Sequence, residues 1–164
     1  METNPTRDFL ISQMRVLNMP EITFFYVTSQ PTAFENLDSV LDPLLEGLYQ
    51  ARSQASITES GPDIVRYYKA SGAESELYIM EVGISVKPET QPVGRAYVKR
   101  LPPYSCVGVL LWGSLAHIKQ AYETLIQTMK EAGLEHTGEV RECTYSFESP
   151  YSPNNLMGIL MGID

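Results

Sequence analysis

In two stretches of the chain, apolar residues recur at intervals of three and four positions, the spacing of one face of an α-helix. The first stripe lies in residues 32–50 and consists of Phe34, Leu37, Leu41, Leu44, Leu45 and Leu48. The second lies in residues 114–132 and consists of Leu115, Ile118, Tyr122, Leu125, Ile126 and Met129. Both stretches are therefore predicted to be amphipathic helices, each with one buried face.

Residues near the ends of these stretches predict where the helices begin and end. Thr32 is followed three positions later by Glu35, the pattern of a capping box, so it is expected to cap the first helix. Ser114 is expected to cap the second helix, and Gly133 to end it. Pro43 lies inside the first stripe, which predicts a kink there or a restart after a break.

Segments rich in β-branched and aromatic residues flank the helices and are predicted to be strands. Residues 14–17 and 21–29 form two short strands, or one strand bent at Pro20. Further strands are predicted in residues 63–69, 76–86, 95–101, 104–113, 138–147 and 156–163, with a break at Pro102 and Pro103.

The order of these elements repeats. The separation along the chain is the same for every member of the first stripe and its counterpart in the second, from Phe34 and Leu115 to Leu48 and Met129. Gly61 and Gly138 match with nearly the same separation. This indicates an internal duplication of a β-α-β-β unit.

The predicted fold is α+β: after an N-terminal arm (1–13), one domain (14–164) contains repeats 14–88 and 95–164. Its antiparallel sheet carries both helices on one face, since two such units can bury both helices there. The other face is left open, and a ligand groove lies between the repeats.

Composition narrows the function. The chain has 164 residues, 43% of them hydrophobic and 20% charged, which is typical of one globular domain. A net charge of −8 disfavours nucleic acid as a partner. No apolar run approaches the ~20 residues of a membrane span, and the polar start METNPTRDF does not look like a signal peptide.

Cysteine and histidine positions give no sign of a metal or cofactor. Cys106 and Cys143 show no metal-ligand spacing and fit a reducing cytoplasm, although they could pair if close in space. His117 and His136 lack cysteine or carboxylate partners at metal spacing, so both are expected on the surface. We therefore expect a cytoplasmic protein with no metal and no cofactor.

The duplicated order, the two helical stripes and the segments LPPYSCVGVLLWGS and AGLEHTGEVRECTYS resemble the GyrI-like small-molecule-binding family. The resemblance covers about residues 14–164. It implies two β-α-β-β repeats around a central groove, and lipophilic, aromatic and often cationic ligands. Members of the family include effector-binding domains of multidrug-responsive regulators, a gyrase inhibitor, and hydrolases that open the cyclopropane ring of alkylating compounds. Residues 1–13 are too short for the regulators' DNA-binding domain, so a regulator role is not expected.

Glu142 is the first candidate site residue, because the resemblance places a recurrent groove glutamate at its position. From the residues alone, it could instead be an exposed strand residue paired with Arg141 or a lysine. Strand alternation puts Thr144 on the same face, and the duplication adds Val65 and Tyr67. Tyr68 would then point to the helix side, unless a bulge exchanges the two tyrosines.

Aromatic and acidic residues elsewhere supply the other candidates. Trp112 lies at a strand end and suits stacking on flat ligands or cations, with helix packing as the alternative. Glu81 could be a second groove acid or face solvent. Weaker candidates for lining the groove are Tyr26, Tyr104 and Met157.

These features predict a multidrug-binding domain for lipophilic aromatic compounds, acting in drug sensing, sequestration or resistance. Hydrolysis of a strained cyclopropane is an additional hypothesis, with Glu142 as general base and Trp112 or Tyr67 stacking on the substrate. The alternative from another class is a protein-interaction module, like the gyrase inhibitor. A haem-binding relative is disfavoured because no convincing axial ligand is present. The ligand's identity and the oligomeric state stay open.

Overall fold

The computed structural model describes residues 8–70 and 76–164 as one antiparallel sheet with two α-helices. The helices are α1 (Leu37–Ser53) and α2 (Ile118–Glu131), each preceded by a 3₁₀ turn, Phe34–Asn36 and Leu115–His117. The strands are β1 (Phe9–Ile11), β2 (Arg15–Met19), β3 (Ile22–Thr28), β4 (Thr32–Ala33), β5 (Glu59–Lys69), β6 (Leu77–Val86), β7 (Tyr97–Leu101), β8 (Tyr104–Gly113), β9 (His136–Ser146) and β10 (Leu156–Ile163). The predicted α+β class is confirmed.

Strand order reflects the duplication. The sheet runs β1-β8-β10-β9-β5-β6-β3-β7, with β2 also paired to β8 and β4 to β6. Outward from the central β5–β9 pair, β5-β6-β3 in one half matches β9-β10-β8 in the other. The halves also exchange edge strands, since β2 pairs with β8 and β7 pairs with β3.

This exchange curls the sheet. Met19 pairs with Tyr104 at one end of the strand order, whereas Ile22, three positions later, pairs with Leu101 at the other end. So short a stretch of chain cannot span an open sheet of this width, so the two ends of the sheet must approach each other. The expectation of an open face away from the helices is therefore wrong. That face is concave and holds its own buried core: Phe24, Ile64, Leu101, Tyr104, Cys106, Cys143 and Leu160.

Both helices cover the other face of the sheet, as predicted. Two further buried clusters lie under the helices. The cluster under α1 includes Phe25, Val82 and Ile84, and the cluster under α2 includes Val107, Leu111 and Ile159. Tyr67 of the central strand β5 packs against both clusters. The helices therefore flank the central strands and leave a space between them.

The start of α1 differs from the prediction. Thr32 and Ala33 pair with Tyr78 and Leu77 as strand β4, so Thr32 is extended and does not cap the helix. Its hydroxyl instead donates to the Gln30 carbonyl at 2.7 Å. α1 then continues through Pro43 without a break.

The C-terminal end of α2 is as predicted, and its start is modified. Ser114 Oγ accepts a hydrogen bond from the Ala116 amide and so caps the 3₁₀ turn that leads into α2, while α2 itself begins after His117 without a side-chain cap. Gly133, at φ +69°, lets its own amide bond the Lys130 carbonyl and the Leu134 amide bond the Met129 carbonyl. That pair of bonds is a Schellman motif, which the left-handed region open to glycine permits.

Part of the expected N-terminal arm is a strand. Residues 9–11 form β1, with Phe9 opposite Gly113 of β8, while residues 1–7 lie outside the described part of the chain. Phe9 also stacks on His117 at 3.8 Å between ring centroids, so His117 is half-buried, whereas His136 is exposed as expected.

Cys106 and Cys143 are free thiols in the concave core. Burial raises the pKa of each to about 11, so both are protonated at neutral pH. Within residues 8–70 and 76–164, no cluster of histidine, cysteine and acidic residues could hold a metal ion. Neither helix found there is long and apolar enough to cross a membrane.

Candidate functional site

A cavity of about 700 Å³, the main cavity, lies between α1 and α2 on the helix side of the central strands. Its walls are largely aliphatic, and its aromatic members come from both helices, from β5 and from the loop before β10. The lining includes Phe34, Leu37, Leu41, Leu45, Leu48, Tyr49, Met80, Val82, Leu115, Ile118, Phe147, Pro150 and Met157. A space of this size and character is typical of a small-molecule site.

The floor of the main cavity comes from the two central strands. Glu142 and Thr144 of β9 and Val65 and Tyr67 of β5 all line it, which is the set that strand alternation places on one face. Val65 is the direct cross-strand neighbour of Glu142. The space therefore sits where the two repeats meet, on the helix side.

A chain of hydrogen bonds holds the Glu142 side chain. Tyr122 of α2 donates its hydroxyl to Glu142 Oε1, and Tyr67 donates to the Tyr122 hydroxyl oxygen at 2.8 Å. Burial is the main cause that raises the pKa of both phenols, so both stay protonated and serve as donors. One carboxylate oxygen is thus anchored by a neutral group.

Burial also raises the pKa of Glu142 above the ordinary value for glutamate. The Tyr122 hydrogen bond opposes this shift, and the charge of Asp38 on α1 adds to it. No lysine or arginine forms an ion pair with Glu142 among the described residues. Its negative charge is therefore costly in so apolar a cavity and would be stabilised by a cation.

The rest of the charge around the main cavity is also negative. Glu35, Asp38 and Asp42 of the α1 segment and Asp63 of β5 line it together with Glu142. None of the described residues that line it is basic. Such a one-sided lining attracts cations and repels anions.

The loop before β10 supplies one wall of the main cavity through Phe147 and Pro150. Asn155, fully buried, braces this loop: its Oδ1 accepts from the Glu148 amide at 3.0 Å, and its Nδ2 donates to the Ser149 carbonyl at 2.7 Å. The Leu115 amide bonds the Pro150 carbonyl and ties the loop to the start of α2.

Glu81 lies away from the main cavity, on the concave face. Its carboxylate accepts from Arg66 Nη1 at 2.5 Å and from Lys99 Nζ, and it is 1% exposed. Arg66 also pairs with Glu139, which in turn accepts from Arg141. The two cations that hold its oxygens explain why Glu81 is buried, and they make it a structural residue rather than a groove acid.

The remaining predicted tyrosines join this charged network. The expected orientation of Tyr68 toward the helices is wrong, because alternation after Tyr67 turns it to the concave face, where Arg66 lies 4.2 Å from its ring centroid. Lys99 packs over Tyr26 at 4.4 Å and Arg141 over Tyr104 at 3.9 Å. The last two of these cation–π contacts join different strands of the curled sheet, β7 to β3 and β9 to β8.

Trp112 is also outside the main cavity. It pairs with Leu10 of β1 and Leu156 of β10, and 54% of its surface is exposed. Leu111 points to the α2 core, so Trp112 points to the other face. Of the candidate residues, the main cavity thus brings together Glu142, Tyr67 and Met157.

Two contributors to the site do not emerge from the sequence patterns. In the α2 stripe, Tyr122 reads as one more apolar member, although its hydroxyl distinguishes it from five aliphatic neighbours. The α1 pattern assigns Asp38 to the outer face, although it lies one position after the stripe residue Leu37. In both cases the sequence signal that could have identified the residue is a polar atom inside or beside an apolar stripe.

Comparison with solved structures finds the same fold over nearly the whole chain. The C-terminal domain of EcmrR is 16% identical, with a TM-score of 0.68 over 93% of this chain and 97% of that one. SAV2435 bound to tetraphenylphosphonium is 9% identical, with a TM-score of 0.71 over 93% and 94%. A hydrolase from Listeria innocua is 12% identical, with a TM-score of 0.57 over 93% and 92%.

In the complex of EcmrR with DNA, this chain spans 58% of the length of the EcmrR chain. No family model matches the sequence, and no curated protein matches it. The structural similarities, together with the duplicated sheet, establish that the chain has the GyrI-like fold that its sequence resembles.

Proposed function

We propose that this protein binds lipophilic aromatic cations in the main cavity. The observation that carries the proposal is the Glu142 carboxylate, which lies on the floor of an apolar cavity and has a tyrosine, but no cation, as its partner among the described residues. A charge held this way interacts strongly with an incoming opposite charge because little water screens it. The similarity to SAV2435, solved with tetraphenylphosphonium, supports the same ligand class.

The shape and chemistry of the walls favour a delocalised cation over a compact one. An ammonium or metal ion would lose its hydration in a space lined by Leu41, Leu45, Leu48, Ile118 and Met157. A cation whose charge is spread over aromatic rings is already poorly hydrated, so it loses little on entry. Tyr49, Tyr67, Tyr122 and Phe147 add aromatic faces for it to contact.

Two ligands of equal shape and opposite charge test this proposal. Tetraphenylphosphonium should bind measurably tighter than tetraphenylborate in calorimetric titrations. Glu142→Gln keeps the shape of the side chain and removes its charge. It should therefore lower the affinity for tetraphenylphosphonium by roughly 5- to 150-fold, the range for losing a charged hydrogen-bond partner. Glu46→Gln, an exposed change on α1 away from the cavity, is the matched control and should have no effect.

Equal loss of both ions in Glu142→Gln, or no loss of tetraphenylphosphonium in that variant, would refute a charge-selective site. In the cell, such a site would sense or sequester cationic drugs in the cytoplasm. Cells that express the wild-type protein should then tolerate these compounds better than cells that express Glu142→Gln.

Hydrolysis of cyclopropane-bearing alkylators is a second candidate function, favoured by the half-buried Glu142–Tyr122 pair and by the similarity to a Listeria hydrolase. Water would attack the ring carbon, and the breaking carbon–carbon bond would send its electron pair into the conjugated carbonyl. Glu142 would take the proton from the water and return it to the new oxyanion. A raised pKa brings such a base closer to neutral pH.

Turnover separates this activity from binding alone. A cyclopropane-bearing alkylator is incubated with protein, and the ring-opened alcohol is followed by mass spectrometry. Glu142→Gln should lower the rate by about 10²–10⁴-fold, whereas Trp112→Ala should leave it unchanged because Trp112 lies outside the cavity. A wild-type rate equal to that in buffer would exclude the activity and leave cation binding intact.

A further inference from the structure

A second cavity, of about 550 Å³, lies beside the C-terminal end of α2 on the same side of the sheet. It shares Phe34, Tyr67 and Tyr122 with the main cavity. The hydrogen bond between the two tyrosine hydroxyls thus belongs to a wall that both spaces share. We call this second space the basic chamber, after the basic residues that line it.

Its basic residues are Lys69 of β5, Lys130 of α2 and His136 of β9. None of the described residues that line the basic chamber is acidic, the reverse of the main cavity. The Lys69 stem passes beside Gly138, 3.9 Å from where a side chain on that residue would begin. His136 Nε2 lies 3.2 Å from the Glu139 carbonyl oxygen, which can only accept, so this contact holds the ring.

Apolar and aromatic groups form the rest of the basic chamber. Ile126, Met129 and Leu134 come from α2 and the turn after it, and Val140 and Met161 from the sheet. Tyr78 closes the aromatic side, with its ring edge against Phe34 at 5.4 Å. A lining of this kind, rimmed by cations, matches a flat apolar body that carries one negative charge.

We propose that the basic chamber is a second ligand site, which binds lipophilic aromatic anions such as aryl sulfonates and carboxylates. The protein then presents two adjoining sites of opposite charge preference on either side of the Tyr67–Tyr122 pair. This site does not depend on cation binding in the main cavity, because its charged residues are a separate set.

Two fluorescent probes that differ by one sulfonate test the site. 8-Anilinonaphthalene-1-sulfonate is the anion, and N-phenyl-1-naphthylamine is the same ring system without it. Lys130→Gln and His136→Gln should each weaken the sulfonate about two- to fivefold, the range for a partly exposed charge pair, and leave the neutral probe unchanged. Lys119→Gln, an exposed lysine of α2 outside the chamber, is the matched control and should change neither.

Ile126→Trp locates the site independently of charge. Ile126 lines the basic chamber but not the main cavity and is 40% exposed, so a larger side chain there should fold and fill the space. Ile126→Trp should weaken the binding of both fluorescent probes and leave tetraphenylphosphonium binding unchanged. Glu142→Gln should weaken tetraphenylphosphonium binding and leave the binding of both probes unchanged. The proposal would be overturned if Lys130→Gln, His136→Gln and Ile126→Trp all left sulfonate binding unchanged. It would also be overturned if Lys130→Gln and His136→Gln weakened the sulfonate and the neutral probe equally.

Discussion

Glu142 stands directly opposite Val65 across the central β5–β9 ladder, and these two residues are also equivalent positions of the duplicated unit. The pseudo-twofold axis of the fold therefore passes through this pair. One repeat places a carboxylate at the axis and the other a small apolar side chain. The symmetric scaffold creates the cavity between the helices, and this single asymmetry gives its floor a charge.

Cation binding should depend on pH through Glu142. The pKa of this carboxyl is raised, so the group stays protonated to a higher pH than an ordinary glutamate, and only the ionised form attracts a cation. Affinity for tetraphenylphosphonium should rise with pH, with a midpoint above 4.5, and should be lost as pH falls through the folded-state pKa. The same titration of Glu142→Gln should be flat. A wild-type profile without a step above pH 4.5 would contradict the assignment.

Glu142 should also lower the stability of the folded protein at neutral and higher pH. Its pKa is higher in the folded chain than in the unfolded one, so the folded state binds the proton more tightly and stability falls as pH rises above about 4.5. Glu142→Gln should therefore melt higher than wild type at pH 8, by about 2–4 °C for each 1 kcal/mol of relief. The difference should disappear near pH 4, where both side chains are neutral. Thermal melts at the two pH values check this, and a lower melting temperature for Glu142→Gln at pH 8 would be the opposite result.

Tyr122→Phe removes the donor that stabilises the ionised form of Glu142. The pKa of Glu142 should rise further, and the pH midpoint for tetraphenylphosphonium binding should shift upward by about one unit, as expected for a lost charged hydrogen bond of roughly 1.5 kcal/mol. Tyr67→Phe keeps the Tyr122–Glu142 bond and is the matched control, with little shift expected. Equal shifts in the two variants would mean that the contact with Tyr122 has no special role.

Much of the fold could be predicted from local patterns. The two helical stripes, the C-terminal end of α2 and the duplicated order all depend on short-range spacing, and the structure retains them. The start of α1 could not be predicted this way. Thr32 has the residues of a capping box around it, but Tyr78, distant in sequence, pairs with it as a strand. A long-range ladder thus overrides a local capping signal.

The candidate site was predictable only where alternation applied. Glu142, Thr144, Val65 and Tyr67 share a face because side chains along a strand alternate, and this needs no tertiary information. The placement of Glu81 and Trp112 outside the cavity could be predicted only by knowing which face lies under the helices and how the sheet curls. That curl follows from the exchange of β2 and β7 between the halves, which no local pattern encodes.

The network on the concave face should contribute to stability and not to binding. Glu81→Gln leaves Arg66 and Lys99 without their shared carboxylate, and removing one partner of a buried ion pair costs about 3–5 kcal/mol. Glu21→Gln breaks the exposed pair with Arg100 and should cost less than about 1 kcal/mol. Urea unfolding measures both. Loss of tetraphenylphosphonium affinity in folded Glu81→Gln would show that the two faces are coupled.

The loop before β10 gives the last prediction. Asn155 bonds the Glu148 amide and the Ser149 carbonyl from a fully buried position. Asn155→Ala removes both bonds and leaves the Glu148 amide unsatisfied, at a cost of about 1–3 kcal/mol, whereas the Ser149 carbonyl keeps its bond from the Ser152 amide. The loop carries Phe147 and Pro150 at the cavity wall, so its loosening should also weaken tetraphenylphosphonium binding. Asn154→Ala removes only exposed side-chain contacts with Glu148 and is the control, with near-wild-type stability and affinity expected.

Hydrogen exchange of residues 147–155 should speed up in Asn155→Ala alone, because the loop loses its hydrogen bonds to Asn155 and its amides open locally more often. Unchanged exchange together with weakened binding would mean that the ligand does not depend on the order of this loop.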